Sequence, residues 1–463
     1  LTELDADRTE FITNRTTQRV ILSAAKDLVY WQRVEMLGCA QHDRDSPLSG
    51  SFVTAVRRFD VPNCVARLRP AATSGRSWYP VLLAAILIVQ GATAADQTPK
   101  PAPTAARPTP GLTVVDGVLH RDGKPYRAIG VNYFNAFQRR LQNPEDSSFD
   151  DGFKALAAAR IPFVRMMGCG FWPKEQKLYR ENPEEFFRRL DAVVRSAERH
   201  GIGIIPSLFW HTATVPDLVA EPVSAWGDAK SKTQAYMRDY VRDVVVRYRG
   251  SPAIWGWEFG NEYNLAANLP NAATHRPPVV PALGTPTTRS QLDERTFEQT
   301  RAAFAVFGAE VRRYDPLRIL STGNSIPRES AWHNWKQGKW TRDTPEQYAE
   351  MLRGDNPDPI NVISIHAYGD CVPRLHAAQA IAQRAGKPLF VGEFGAEGHS
   401  EATRKEFFTL LEAVEAAKVP LAAMWVFDFP RQRECNVTAT NDRAYQLQAI
   451  AEANVRIRKA LER

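Results

Sequence analysis

Cysteine and methionine are scarce in this chain, at five and six among 463 residues. No two cysteines fall at a spacing that resembles a zinc site, so a structural zinc module is excluded. There is no Gly-x-Gly-x-x-Gly run, which removes the dinucleotide-binding fingerprint. No apolar stretch reaches the ~20 residues that a membrane span needs. The formal net charge is +7, yet lysine and arginine are scattered rather than clustered and no nucleic-acid motif is present. That pattern describes a solvated basic surface, not a nucleic-acid partner.

What is present begins with a short apolar run, Val81-Leu-Leu-Ala-Ala-Ile-Leu-Ile-Val89, with Arg76 ahead of it and Ala92-Thr-Ala94 behind. This matches a secretory h-region and its cleavage site, so residues 76–94 are expected to be a signal peptide and the product secreted or periplasmic. Residue 1 is Leu, and Met36 is the one methionine ahead of the run. Residues 1–75 lack sustained periodicity and are expected to be an unstructured or over-called extension, with translation starting nearer Arg76. Residues 95–111 are rich in Pro, Ala and Thr and are expected to form an extended linker. Residues 112–463 hold the folded domain. Export favours a disulfide. Cys371 and Cys435 follow the sixth and eighth strands read below, whose loops open on one face, and are expected to pair. Cys169 is then a free thiol; the alternative is three unpaired thiols.

Within the domain, two Asp-Gly turns between residues 114 and 124 signal a hairpin. Short apolar runs at 127–132, 161–167, 202–208, 253–260, 318–322, 361–366, 388–393 and 421–427 read as strands. Helical periodicity fills the intervals near 149–159, 184–200, 230–249, 291–313, 344–353, 374–385, 401–417 and 441–461. Eight strand-then-helix units imply an α/β fold, a (β/α)8 TIM barrel, with a doubly wound open sheet as the alternative.

The strand Trp255-Gly-Trp-Glu-Phe-Gly-Asn-Glu-Tyr263 ends in the polar pair Asn261-Glu262, and Pro388-Leu-Phe-Val-Gly-Glu393 ends in a second glutamate. A buried strand is normally a near-continuous apolar run, so polar side chains at its carboxyl end point to catalysis at the mouth of a barrel. Two carboxyls from two strand ends are what retaining glycoside hydrolysis requires.

These segments, Ile254-Trp-Gly-Trp-Glu-Phe-Gly-Asn-Glu262 and Val391-Gly-Glu-Phe-Gly395, resemble glycoside hydrolase family 5, in the clan of barrel glycosidases with catalytic glutamates after strands four and seven. The resemblance implies a retaining β-glycoside hydrolase acting on a polysaccharide or oligosaccharide, β-1,4-mannan or β-1,4-glucan foremost. It implies no metal or organic cofactor, and a monomer is expected. Glu262 is then the acid/base and Glu393 the nucleophile. Arg165 would hold Glu393 ionised, Asn261 would donate to the sugar 2-hydroxyl, and Tyr368 would bond Glu393. His366 would orient the acid/base or the sugar, and Trp425 would be the platform beneath it. His211 stands near a place where the family often carries paired histidines, and Asn132 and Tyr133 follow a Gly-Val-Asn opening common in it. Trp172, Trp210, Trp226, Trp332, Trp335 and Trp340 fall in loops on the same rim and suit stacking on sugar faces. A non-catalytic carbohydrate-binding barrel and a transglycosylase are the rival readings.

Overall fold

The computed structural model describes residues 111–463. The expected extension, signal peptide and all but the end of the linker lie outside them, as do Cys39 and Cys64.

The described chain opens with a small antiparallel sheet, β1 (Leu112–Val115), β2 (Val118–Arg121) and β3 (Lys124–Pro125). Asp116 and Gly117, both at positive φ (49° and 75°), make the β1–β2 turn. This matches the paired left-handed residues that a two-residue hairpin favours. The hairpin sits under the barrel: Leu112 and Leu119 pack with Phe163, Ile205, Trp255 and Phe390 in one apolar cluster. The Arg121 guanidinium lies 4.1 Å over the Trp255 ring.

Eight parallel strands follow: β4 (Ala128–Asn132), β5 (Phe163–Met167), β6 (Gly203–Phe209), β7 (Gly256–Gly260), β8 (Ile319–Ser321), β9 (Ile363–Tyr368), β10 (Leu389–Gly395) and β11 (Leu421–Met424). They pair in the order β8-β7-β6-β5-β4-β11-β10-β9. Between β8 and β9 the circle is joined by Leu320 N–H on Asn361 Oδ1 (2.7 Å) and Val362 N–H on Leu320 O (3.4 Å). Nearly every strand residue is buried, as expected where helices cover a parallel sheet. Those helices are α1 (Ser148–Ala158), α2 (Pro183–His200), α3 (Lys232–Tyr248), α4 (Phe297–Tyr314), α5 (Pro345–Gly354), α6 (Val372–Arg384), α7 (Glu401–Ala416) and α8 (Tyr445–Leu461). α2 is typical of how they form. Asn182 caps Glu185 N–H, Glu184 and Glu185 occupy the first turn, and Gly201 ends the helix at φ 67°. The architecture is a (β/α)8 barrel. Among the described residues no helix is long and apolar enough to cross a membrane.

The structure departs from expectation in two places. Four further short helices, Ala136–Gln142, Pro173–Glu181, Thr214–Leu218 and Ala331–Gln337, lie in connections read as loops. Cys371 and Cys435 are free thiols, as is Cys169, and all three are buried. The expected bridge does not form: Cys371 is fixed at the start of α6 with its N–H on Gly369 O (2.8 Å), while Cys435 is fixed in the loop after β11 with its carbonyl accepting from Val426 N–H (3.4 Å).

Candidate active site

The barrel's carboxyl-terminal mouth opens on a partly enclosed cavity. Its polar centre is Asn261, Glu262 and Glu393, and its aromatic walls include Phe171, Trp210, His211 and Trp425. Thr212, Arg295 and Gln432 complete the lining.

Glu262 stands just past β7 with φ 52°, held there because its N–H donates to Gly323 O at 2.9 Å. That turn swings its side chain into the cavity. Glu393 reaches the same space through a β-bulge: the pairing of β10 with β9 shifts register between Val391 and Glu393. Bulges commonly re-aim a side chain at a site of this kind. Donor atoms of Glu262, His366 and Glu393 lie within 4.8 Å of one another. A divalent ion would find three ligands here, but each is already engaged in the network. His366 Nδ1 is 2.8 Å from Glu262 Oε1 and 3.5 Å from Glu393 Oε2.

Arg165, at the centre of β5 and wholly buried, organises the floor. Its Nε donates to Glu258 Oε1 (2.6 Å) and its Nη1 to Glu393 Oε1 (2.7 Å). Nη1 also reaches Asn132 Oδ1 at 3.1 Å, and Nη2 reaches Asn261 Oδ1 at 2.9 Å. The guanidinium lies 4.5 Å over the Trp210 ring. Tyr368 Oη donates to the remaining oxygen of Glu393 at 2.7 Å. Both oxygens of that carboxylate are thereby fixed.

Burial raises Glu262 to about 7, with Arg165 and Arg295 pulling only partly against it. Burial also raises Glu393, although His366, Arg165 and the Tyr368 hydroxyl oppose the rise. The expected ion pair of Arg165 with Glu393 is present and favours the charged carboxylate, while removal from water pulls the other way and gives the net rise. Burial lowers His366 to about 4, so the imidazole is neutral near pH 7. His211 is pushed down to about 3 by burial and by Arg295 and Arg289.

Of the residues singled out in the sequence, Glu262, Glu393, Asn261, Trp210, His211 and Trp425 line the cavity, while Arg165, His366 and Tyr368 contact its carboxylates. Trp425 stacks on Trp210 at 6.1 Å and donates from Nε1 to Gln432. Asn132 does not reach the cavity. Its amide donates to Gly392 O (2.9 Å) and accepts from Arg165, so it braces the floor from below. Tyr133 is buried against Phe153 and Phe427. The tryptophan rim is also corrected, since Trp210 alone of those six lines the cavity. Trp226 is buried, with Nε1 on Thr212 O. Trp332 and Trp335 bond Glu350 and Glu298 and pack on a separate cluster around Phe297.

Sequence reasoning missed Glu258, Arg295, Phe171, Thr212 and Gln432. Glu258 left a signal: a glutamate inside a fully buried strand, bonded on one side by Arg165 and on the other by Ser321 Oγ at 2.9 Å. Arg295 left none, because a loop delivers it from 33 residues past Glu262.

The family model for cellulase, glycosyl hydrolase family 5, matches residues 120–428. The probable mannan endo-1,4-β-mannosidase A of Aspergillus flavus is 31% identical over 189 residues, covering 36% of this chain and 46% of that protein. The mannan endo-1,4-β-mannosidase F of Aspergillus clavatus is 37% identical over 81 residues, 16% of this chain and 18% of that one. The match thus spans less than half of each relative. Among solved structures, the endo-1,4-β-mannanase of Rhizomucor miehei superposes with TM-score 0.56 at 15% identity, over 75% of this chain and 99% of that one. An exo-β-1,4-mannosidase from Opitutaceae bacterium strain TAV5 gives 0.52 at 17% identity, over 74% and 63%. At such identities the likeness is one of fold.

Proposed function

Because the chain belongs to glycoside hydrolase family 5, we propose that it cleaves β-1,4-linked mannan by double displacement with retention of configuration. The observation that carries this reading is the approach of Glu262 and Glu393, with oxygens within 4.8 Å. Retaining enzymes hold their carboxyls about 5–5.5 Å apart, whereas inverting ones leave room for a water at ~6.5–9.5 Å. Mannan is favoured over glucan because the curated relatives are named mannan endo-1,4-β-mannosidases.

Glu262, raised to about 7, keeps its proton at mildly acid pH and gives it to the departing glycosidic oxygen. Glu393, held at both oxygens by Arg165 and Tyr368, attacks the anomeric carbon from the opposite face. Glu262, now ionised, takes a proton from the water that releases the sugar. Neutral His366 holds Glu262 toward the bond being cleaved. Asn261, whose Oδ1 is occupied by Arg165, has its amide N–H groups left to donate to the sugar 2-hydroxyl. Trp425 offers a ring face to the same sugar. The catalytic unit is residues 112–463, and the product is exported through the segment at 76–94.

The test is a pair of variants assayed on mannan and on an aryl β-mannoside. Glu393→Gln is expected to abolish turnover on both. Glu262→Ala is expected to lose polymer hydrolysis but to regain aryl mannoside turnover when azide is added, with a β-configured glycosyl azide as the product. Near-normal turnover by Glu393→Gln defeats the assignment.

A further inference from the structure

The connection from β7 to α4 runs far beyond the distance it has to cover. Its base is pinched shut, because Asn268 N–H donates to Arg295 O (2.9 Å) and Phe297 N–H donates to Asn268 Oδ1 (2.7 Å). Between these points residues 269–294 form a strap laid across two neighbouring loops. Arg289 forks onto Asp217, in the loop after β6, at 2.6 and 2.8 Å. The two side chains are only 5% and 1% exposed. Further along, Gly284 passes so close to the helix after β5 that a Cβ on it would lie 3.0 Å from Pro173 and 3.1 Å from Lys174 N. Its φ of +93° adds a second reason for glycine there. Asp293 accepts from Val223 N–H at 3.3 Å and so ties the strap's return leg to the chain after β6.

The two loops under the strap are the ones that wall the cavity. Phe171 stacks on His211 at 5.0 Å and 24°, and Trp172 follows at 5.8 Å from the same imidazole. Arg295, at the foot of the strap, lines the cavity beside them. Loops that are merely packed can swing aside for a long polymer. Loops tied by a buried, two-point ion pair cannot, because parting them leaves charges unpaired away from water.

We propose that the strap fixes this wall as a blind end, so that the site takes the end of a β-linked sugar chain and not its middle. The inference rests on the glycosidase reading and specifies how that same site meets its substrate. It is tested with the full chain on end-labelled manno- and cello-oligosaccharides of four to six units, and on soluble galactomannan followed by viscometry and reducing-end release. The expected result is one product length, cut from one labelled end, from the first turnovers, with viscosity nearly constant while reducing ends accumulate. A ladder of lengths with an early fall in viscosity overturns it. Arg289→Met, which unlatches the strap at a residue outside the cavity lining, is expected to raise the ratio of polymer to oligosaccharide turnover several-fold. A folded Arg289→Met protein with the wild-type ratio overturns the strap's role, and if that variant does not fold the wild-type product pattern decides. Absence of cleavage on every β-glycoside is a different outcome, which defeats the glycosidase reading and this inference with it.

Discussion

At the scale of single residues, the site depends on two glutamates of the same kind made unequal by their neighbours. Glu393 has a guanidinium and a phenol on its two oxygens; Glu262 has a neutral imidazole on one oxygen, and Arg165, Ser325 and Arg295 offset its burial only in part. Activity on kcat/KM should fall on the alkaline side near pH 7 as Glu262 loses its proton, and on the acid side, above the usual carboxylate range, as Glu393 gains one. A pH–rate profile of an activated substrate checks both limbs, and Glu262→Ala with azide should lose the alkaline one. The same shift bears on stability. A carboxyl raised from 4.5 to about 7 costs the fold nothing below pH 4.5, and the cost grows to its full value as pH rises through 7. Glu262→Gln should therefore be more stable than the wild type by roughly 3 kcal/mol above pH 7, with no gain at pH 4, as read by urea unfolding at both pH values. Arg165 is the opposite case. Arg165→Met strands Glu258 and Glu393 as buried, unpaired carboxyls and should cost about 3–5 kcal/mol. Arg165→Lys cannot replace the fork and should also lose activity.

At the scale of elements, Gly323 is the hinge on which the β7 end turns. It lies at φ +71°, and a Cβ there would fall 1.9 Å from Gly260 O. Gly323→Ala should lower stability by about 2–4 kcal/mol and displace Glu262, whose N–H it accepts. Unfolding curves and kcat measured together would register both effects. The barrel strands were legible in the chain because each is an apolar run bounded by turn residues, and observed limits fall within a few residues of expectation. β11 is the exception: it stops at Met424, before the cis peptide Trp425–Val426, and not at Phe427. The early start read for α4 has a clear cause. Ser290–Asp293 carries a capping pattern that forms a separate 3-10 turn, and the true cap is Thr296. The catalytic pair could be read because strand ends announce themselves locally. Arg295, Phe171 and Gln432 could not, since loops bring them in by tertiary contacts that leave no period in the sequence. The rim tryptophans were misplaced for the same reason: a loop's position on the rim says nothing about which way an indole faces.

At the scale of the whole molecule, the two ends of the barrel have separate tasks. The hairpin and the Trp255 cluster seal the amino-terminal end, and the carboxyl-terminal end is left to chemistry. Removing residues 112–125 uncovers Trp255 and Phe163 and should therefore lower the thermal midpoint, as melting curves on the chain with and without the hairpin would establish. One arrangement at the mouth has an optical consequence. Trp210 has the Arg165 cation 4.5 Å from its ring and the Trp425 indole 6.1 Å away, and both indoles line the cavity. Light emitted by this pair will change whenever a sugar displaces water from the cavity, so occupancy becomes visible without any label, in real time and even where no bond is cleaved. Trp210→Phe is the control that separates this signal from that of the nine indoles outside the pair.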